Sequence, residues 1–117
     1  MKDKRTDSKE RLLHIQKAIL DIKRFLCHTD EQEFLENELL HNAVLMQFII
    51  IGEAIAHVDN DILKRYEYSW YKVRAFRNFI AHEYFNIKLS AVWGVIKSDM
   101  NSLKEIIDKL LQSEFNT

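Results

Sequence analysis

The stretch Ala-Val-Leu-Met-Gln-Phe-Ile-Ile-Ile-Gly-Glu-Ala-Ile-Ala, residues 43–56, governs how this chain can fold. Only Gln47 and Glu53 interrupt it with polar side chains. A helix that is apolar around nearly its whole circumference is buried on most of its sides. We therefore expect a helix over residues 31–57, placed at the centre of a helical bundle or at the seam of an oligomer.

The flanking sequence also has the spacing of helices. Proline is absent and there are only two glycines, whereas a sheet needs turn residues at many corners. Apolar residues recur at intervals of three and four over residues 7–27, 69–83 and from residue 90 onward, and residues 61–66 have room for a short helix. The sequence predicts an all-α fold, an up-and-down bundle of four long helices plus a short helix, in one domain over residues 1–117.

Several positions carry local expectations. Asp30 offers a capping oxygen to the helix that follows it, and Ser90 is a candidate N-cap for the last helix. Gly52 and Gly94 fall inside helical patterns, where each costs about 1 kcal/mol relative to alanine. We expect a neighbouring helix to approach closely at both glycines, although Gly52 could also leave room for a ligand.

The composition excludes several classes of protein. A formal net charge of −1 does not fit a broadly basic coat for nucleic acid. Residues 64–77 nevertheless hold five basic residues and one acid, a local zone that would suit a small anionic target or a short stretch of RNA. From charge alone, a solvated helix face is the preferred interpretation of this zone.

The expected location is the cytoplasm. No apolar run reaches the roughly 18 residues of a membrane-spanning helix, and the charged N-terminus lacks a signal-peptide core. Cys27 is the only cysteine, and we expect it to be a small core residue. The histidines show no metal-ligand spacing, so we predict no bound metal and no cofactor.

The decapeptide Phe-Arg-Asn-Phe-Ile-Ala-His-Glu-Tyr-Phe, residues 76–85, concentrates the candidate chemistry. Arg77, Asn78, His82 and Tyr84 could together handle a phosphate ester. Arg74, Asn78 and His82 follow one another at intervals of four and share a helix face. Arg77 lies about 140° around the helix from His82. The two would converge better if the helix ended near His82, or if a second subunit supplied one of them.

A purely structural interpretation of these residues stays open at this point. Arg74 and Arg77 could pair with the acids of the second helix, residues 31–57, and Tyr84 could be an ordinary aromatic at the edge of the core. His82, near a helix C-terminus, could bond the last carbonyl groups.

The spacing Arg-Asn-x-x-x-His-x-Tyr resembles the signature of the HEPN superfamily, in particular its HepT-like branch, the toxin half of HepT/MNT toxin–antitoxin pairs. Residues 48–54 resemble that family's Ile-Gly-Glu-Ala helix, and Trp70 matches its tryptophan. Tyr84-Phe85 followed by Val92-Trp93 resembles the segment after its motif. The chain departs from the family at Ser69, where a proline is common, and at Ala75, where a glycine is common; neither change removes a chemical group.

The resemblance implies a HEPN-like fold and a metal-independent endoribonuclease that acts as a homodimer, with its active site at the dimer cleft. Arg77 and His82 would be catalytic, and Asn78, Arg74 and Glu53 would support them. RNA, either tRNA or mRNA, would be the substrate. A cognate minimal nucleotidyltransferase, the antitoxin, would AMPylate Tyr84 and block the site.

The residues also leave other functions open. The same basic groups could hold a phosphate without cutting it, in a non-catalytic subunit that binds a nucleotide or a nucleotidyltransferase. A helical adaptor with a purely structural motif would instead bury and pair Arg77 and His82. Glu53 fits a supporting role better than a catalytic one, since an unpaired carboxylate in an apolar helix is costly. It could pair with Arg74, Arg77 or His57.

Overall fold

The computed structural model describes residues 3–117, which form six α-helices and one 3₁₀ turn. Four of the helices are long, and the described residues contain no strand, so the all-α prediction is confirmed. The helices are α1 (Lys4–Phe25), α2 (Glu31–Glu36), α3 (Glu38–Ile55), α4 (Asn60–Leu63), α5 (Trp70–His82) and α6 (Leu89–Phe115), and the 3₁₀ turn spans Tyr84–Asn86.

The single helix expected over residues 31–57 is in fact two helices, which is a correction to the sequence prediction. Asn37 has an extended backbone conformation and ends α2, and its side chain accepts a hydrogen bond of 3.1 Å from the Leu40 amide at the start of α3. A side-chain cap of this kind offsets the helical hydrogen bonds lost at the break. Asp30 caps α2 in the same way through the Glu33 amide, as predicted.

Helix α3 is the central element. It packs along α1 on one flank and along α5 on another, while α6 packs against α1. By length and composition alone α3 could also cross a membrane, but the core helix of a bundle has the same character and α3 occupies that position here. The core is built from fully buried side chains of several helices, among them Ile15, Ile19, Ile51, Ile80 and Leu110.

Trp70 fixes the start of α5. Its ring is buried, and its indole N–H donates to the carbonyl oxygens of Leu63, at 3.1 Å, and Tyr66, at 3.3 Å. Those carbonyls belong to the end of α4 and the turn that follows it, so the tryptophan ties the connection to the helix. This contact sets where α5 begins and therefore where the candidate site at its far end lies.

Three local expectations are wrong. Helix α6 begins at Leu89 after Lys88, so Ser90 lies inside the helix and does not cap it. A Cβ atom at Gly94 would meet nothing within 4 Å, so no helix approaches there. Cys27 is exposed rather than buried, because α1 ends at Phe25, before its apolar stripe would reach residue 27.

Candidate functional site

Helix α5 ends inside the decapeptide of residues 76–85. Its last residue is His82, and the Glu83 amide still donates to the Phe79 carbonyl at 2.9 Å. The chain then enters the 3₁₀ turn Tyr84–Asn86. The helix therefore ends at His82, as expected, and Tyr84 lies outside it. Because His82 is still part of α5, it remains about 140° around the helix from Arg77.

Arg77 is held against α3 at Gly52. A Cβ atom on residue 52 would lie 2.1 Å from the Cβ and 2.7 Å from the Cγ of Arg77. No side chain can be accommodated at that distance without a shift of the backbone, so the glycine is what lets α5 approach. The close approach expected at Gly52 is confirmed, and it fixes the position of the Cβ and Cγ atoms of Arg77, the candidate catalytic arginine.

The guanidinium group of Arg77 has weak partners. Its Nη2 lies 3.4 Å from Oε2 of Glu53, and its Nη1 donates to Oδ1 of Asn78 at 3.2 Å. Its Nε is buried and has no hydrogen-bond partner within residues 3–117. A buried donor without a partner costs about 1–3 kcal/mol. With two long contacts and one unmet donor, the guanidinium can exchange its partners for the oxygens of a phosphate.

Glu53 lies in a more open environment than the apolar sequence around it suggested, since its side chain is 53% exposed. Besides Arg77, it faces the ring of His57, whose Nδ1 lies 4.0 Å from Oε1 of Glu53 and 2.9 Å from the Glu53 carbonyl oxygen. Two of the three pairings considered for this carboxylate are thus present. The pairing with Arg74 is absent: that side chain makes no ion pair within the described residues.

His82 and Arg74 are exposed, and neither side chain has a hydrogen-bond partner among residues 3–117. The structural interpretation is therefore wrong for Arg74, which forms no ion pair among the described residues, and for the expected bonds of His82 to the last carbonyls of its helix. It holds for Arg77, which pairs with Glu53, an acid of the predicted second helix. An exposed imidazole can accept or donate a proton near neutral pH. Asn78 is also exposed and lies between Arg74 and His82 on the same face of α5.

Tyr84 has an accessible ring with an anchored hydroxyl. The side chain is 43% exposed, and its hydroxyl donates to Oδ1 of Asn42 on α3 at 3.0 Å. The Phe85 ring meets the Tyr84 ring edge-on at 5.4 Å and is otherwise almost entirely exposed. Sequence reasoning missed Asn42. A polar residue next to the apolar stretch 43–56 was the available signal, but its partner lies 42 positions away.

Two further features bear on the chemistry. No group of three or more His, Cys, Asp or Glu side chains within residues 3–117 is placed to hold a metal ion. In the basic zone of residues 64–77, Arg65 forms an ion pair with Glu114 and so has a structural partner. Lys72 and Arg74 are exposed and, within the part of the chain that the structure describes, form no ion pair.

The last two turns of α5 thus carry an exposed imidazole, His82, and a guanidinium, Arg77, that packs on Gly52 and contacts Glu53 of the central helix. Residues 15–110 match the family model for HepT-like ribonucleases. The match covers most of the chain, so the chain belongs to the HepT-like ribonuclease family.

Individual relatives agree with this assignment. The chain is 31% identical to the "Probable ribonuclease HepT" of Thermococcus cleftensis over 87% of its own length and 94% of that protein. It is 29% identical to "Putative RNase MJ1380" of Methanocaldococcus jannaschii, again over 87% and 94% of the two chains. A longer protein of that archaeon, "Gamma-glutamylcyclotransferase and putative RNase MJ0434", is 31% identical, and the match covers 92% of this chain and 49% of that one. No solved structure gives a significant match.

Proposed function

We propose that this protein is the toxin of a type VII (HepT/MNT) toxin–antitoxin pair, a metal-independent endoribonuclease acting on cytoplasmic RNA. The observation that carries the proposal is that one helix, α5, presents both an exposed His82 and an Arg77 that is fixed against Gly52 and has an unsatisfied Nε. Membership of a ribonuclease family supports it.

In the proposed reaction the RNA supplies its own nucleophile. A base removes the proton of the 2′-hydroxyl, whose oxygen attacks the adjacent phosphorus, and an acid protonates the departing 5′-oxygen. The products are a 2′,3′-cyclic phosphate and a 5′-hydroxyl. Arg77 clamps the phosphate oxygens through the reaction with its planar fork. Glu53 and Asn78 orient that fork, Arg74 adds positive charge on the same helix, and His82 transfers a proton.

One histidine cannot be base and acid at the same moment, so the proposal includes a homodimer. Leu39, Met46 and Glu53 follow one another on α3 at intervals of seven, which places them on one stripe of the helix. Leu39 is 87% exposed and Met46 is more than half exposed, although large apolar side chains are usually covered. The stripe ends at Glu53, the partner of Arg77. A second copy covering it about a two-fold axis would bring a second His82 to the same cleft.

The proposed off switch is AMPylation of Tyr84 by a partner minimal nucleotidyltransferase. The Tyr84 oxygen would bond to the α-phosphorus of ATP, the bond to pyrophosphate would break, and the phenolic proton would leave to solvent. The hydrogen bond to Asn42 would be lost, and a negative charge would stand two residues from His82. That charge and bulk would exclude the phosphate of RNA.

Incubation of the purified protein with cellular RNA in the presence of EDTA tests the catalytic proposal. Cleavage should continue with the chelator present and should leave cyclic phosphate ends. His82→Ala and Arg77→Ala should abolish cleavage while circular dichroism shows a folded bundle. His14→Ala, which removes an exposed histidine of α1, is the matched control and should cut normally. Full cleavage by either catalytic variant refutes the proposal, and tight nucleotide binding without digestion would favour a non-catalytic subunit.

The dimer is tested separately by sedimentation. Leu39→Asp should produce a folded monomer that no longer cuts RNA. Leu20→Asp introduces the same charge at an exposed leucine of α1 and should leave both assembly and cleavage unchanged. A Leu39→Asp protein that remains dimeric would show that another surface forms the seam.

A further inference from the structure

A cleft separates the first half of α5 from α6. Its volume is about 820 Å³, large enough for a drug-sized molecule or a nucleotide. The apolar part of its lining comes from α3, α5 and α6 and includes Phe48, Ile51, Phe76, Met100 and Leu103.

Tyr71 connects this cleft to the candidate active site. It lines the cleft, and it also belongs to the outer face of α5. At 100° per residue, Tyr71, Arg74, Asn78 and His82 fall within an arc of about 80°. Tyr71 is 66% exposed, and its ring and hydroxyl have no partner among residues 3–117. An aromatic ring this exposed, on the same face of α5 as His82, presents a free face for stacking.

The charged side chains around the cleft favour the phosphate and the nucleobase of a nucleotide at different positions. Arg74 is an exposed cation on the same face of α5 as Tyr71 and His82, so a phosphate backbone is favoured along that face. Lys72, about 160° from Arg74 around the helix, is the one cation among the described residues that line the cleft. Glu67 and Asp99 also line the cleft, and their carboxylates form no ion pair within the described residues. They disfavour phosphate inside the cleft, but they can accept hydrogen bonds from the N–H groups of a nucleobase.

We infer that the RNA strand runs along α5 and that Tyr71 stacks on one of its unpaired bases at the mouth of the α5–α6 cleft. Tyr71 and His82 are separated by 11 positions on α5, about 16 Å at 1.5 Å per residue. The stacked base therefore belongs to a nucleotide a few positions from the scissile phosphate. Tyr71 is in this view a residue that selects single-stranded RNA and sets the cleavage position. The inference rests on the proposed ribonuclease function.

Binding to uncut RNA tests the inference apart from catalysis. In the His82→Ala background, a short fluorescein-labelled single-stranded RNA of mixed sequence is titrated by fluorescence anisotropy. Tyr71→Ala should weaken binding about 5- to 100-fold, the range expected for the loss of one stacked base. Tyr71→Phe keeps the ring and should bind like the parent. Leu20→Ala, an exposed apolar truncation on α1, is the control and should have no effect.

A series of RNAs with one abasic nucleotide identifies the stacked base. At one position, removing the nucleobase should weaken RNA binding by the parent protein but leave RNA binding by the Tyr71→Ala protein unchanged, since the abasic nucleotide and the substitution remove the same contact. Losses that add at every position would overturn the inference, as would equal binding by Tyr71→Ala and Tyr71→Phe. If the wild-type protein cuts RNA but substitutions at Tyr71 do not change RNA binding, the inference about Tyr71 is wrong and the proposed ribonuclease function stands. If Tyr71 matters for binding and no RNA is cut, the proposed ribonuclease fails instead.

Discussion

The closest contact of the site, between Gly52 and Arg77, gives a prediction whose size follows from the geometry. In Gly52→Ala the new Cβ would lie 2.1 Å from the Cβ of Arg77, while carbon atoms pack at about 3.6 Å. About 1.5 Å must therefore be gained by moving α5 away from α3. Both atoms are fixed to their backbones, so no rotamer change relieves the clash.

The free energy can be estimated from two opposing effects. Overpacking costs about 3 kcal/mol when the backbone must move, and alanine gains about 1 kcal/mol over glycine within a helix. Gly52→Ala should thus lower the free energy of unfolding by about 2 kcal/mol, and the Tm by about 8 °C in a domain of this size. Gly94→Ala is the matched control, because its Cβ meets nothing within 4 Å. It should raise stability by about 1 kcal/mol.

Urea unfolding at one fixed protein concentration measures both variants, and a double-mutant cycle assigns the cause. Arg77→Gly removes both atoms that the new Cβ would meet, leaving the Val73 carbonyl oxygen at 3.4 Å as the nearest neighbour. In that background Gly52→Ala should no longer destabilise the protein. A displacement of Arg77 by about 1 Å should also reduce cleavage about 100-fold. The reasoning is refuted if Gly52→Ala is as stable as Gly94→Ala, or if Arg77→Gly leaves its cost unchanged.

Three other changes have defined outcomes. Trp70→Phe removes the donor to two backbone carbonyls and should lower the free energy of unfolding in urea by about 1–3 kcal/mol. Hydrogen bonds from Lys104 and Gln16 hold the pKa of Asp108 below its usual value of 3.8, so this carboxylate stabilises the fold above that pH, and the stabilisation is lost as the pH falls through the lowered pKa. In thermal melts, Asp108→Asn should therefore be less stable than the wild type near neutral pH and should lose less stability between pH 5 and pH 2. An acid profile identical to that of the wild type would contradict this. Tyr84→Phe should keep RNA cleavage but take up no adenylate by mass spectrometry when the nucleotidyltransferase and ATP are added, and adenylate found on the variant would place the modification elsewhere.

Periodicity predicted the fold well because most of it rests on amphipathic helices. The spacing of Leu12, Ile15 and Ile19 predicted α1, and all three side chains are fully buried. The bounds predicted for α5, residues 69–83, differ from the structure by one residue at each end. This apolar periodicity arises because a whole face of each helix is buried, so one atypical residue does not hide it.

The break at Asn37 escaped prediction for the opposite reason. The residues around it, Glu36 and Glu38, are good helix formers, and a continuous helix and two capped helices have nearly the same apolar spacing. What separates them is one hydrogen bond, which the Leu40 amide donates to Oδ1 of Asn37 and which is worth about 1 kcal/mol. Gly94 was misjudged in a similar way, because a glycine within a helix has the same appearance whether or not a neighbour presses on it.

For the candidate site, the sequence identified residue types but could not assign their surroundings. Glu53 lies within the apolar helix α3, as expected, but on its exposed face, while the next two residues, Ala54 and Ile55, are buried. The contact of Tyr84 with Asn42 joins residues 42 positions apart, and the cleft beside Tyr71 exists only because α5 and α6 diverge. Such features depend on how helices pack, which no local pattern records.

In the proposed mechanism, one copy of the chain is an incomplete catalyst. Arg77 faces inward against Gly52 and is restrained by Glu53 and Asn78, whereas His82 faces outward at the end of the same helix with no partner among the described residues. The proposed reaction needs one imidazole as base and one as acid at the phosphate bound by Arg77, and one chain supplies a single His82 on α5. The surface beside Arg77 is the exposed apolar stripe of α3, and that helix also anchors Tyr84 through Asn42. Helix α3 thus contacts Arg77 and Tyr84 and also carries the proposed dimer surface. An adenylate added to Tyr84 would therefore stand close to the surface where we propose that two copies meet.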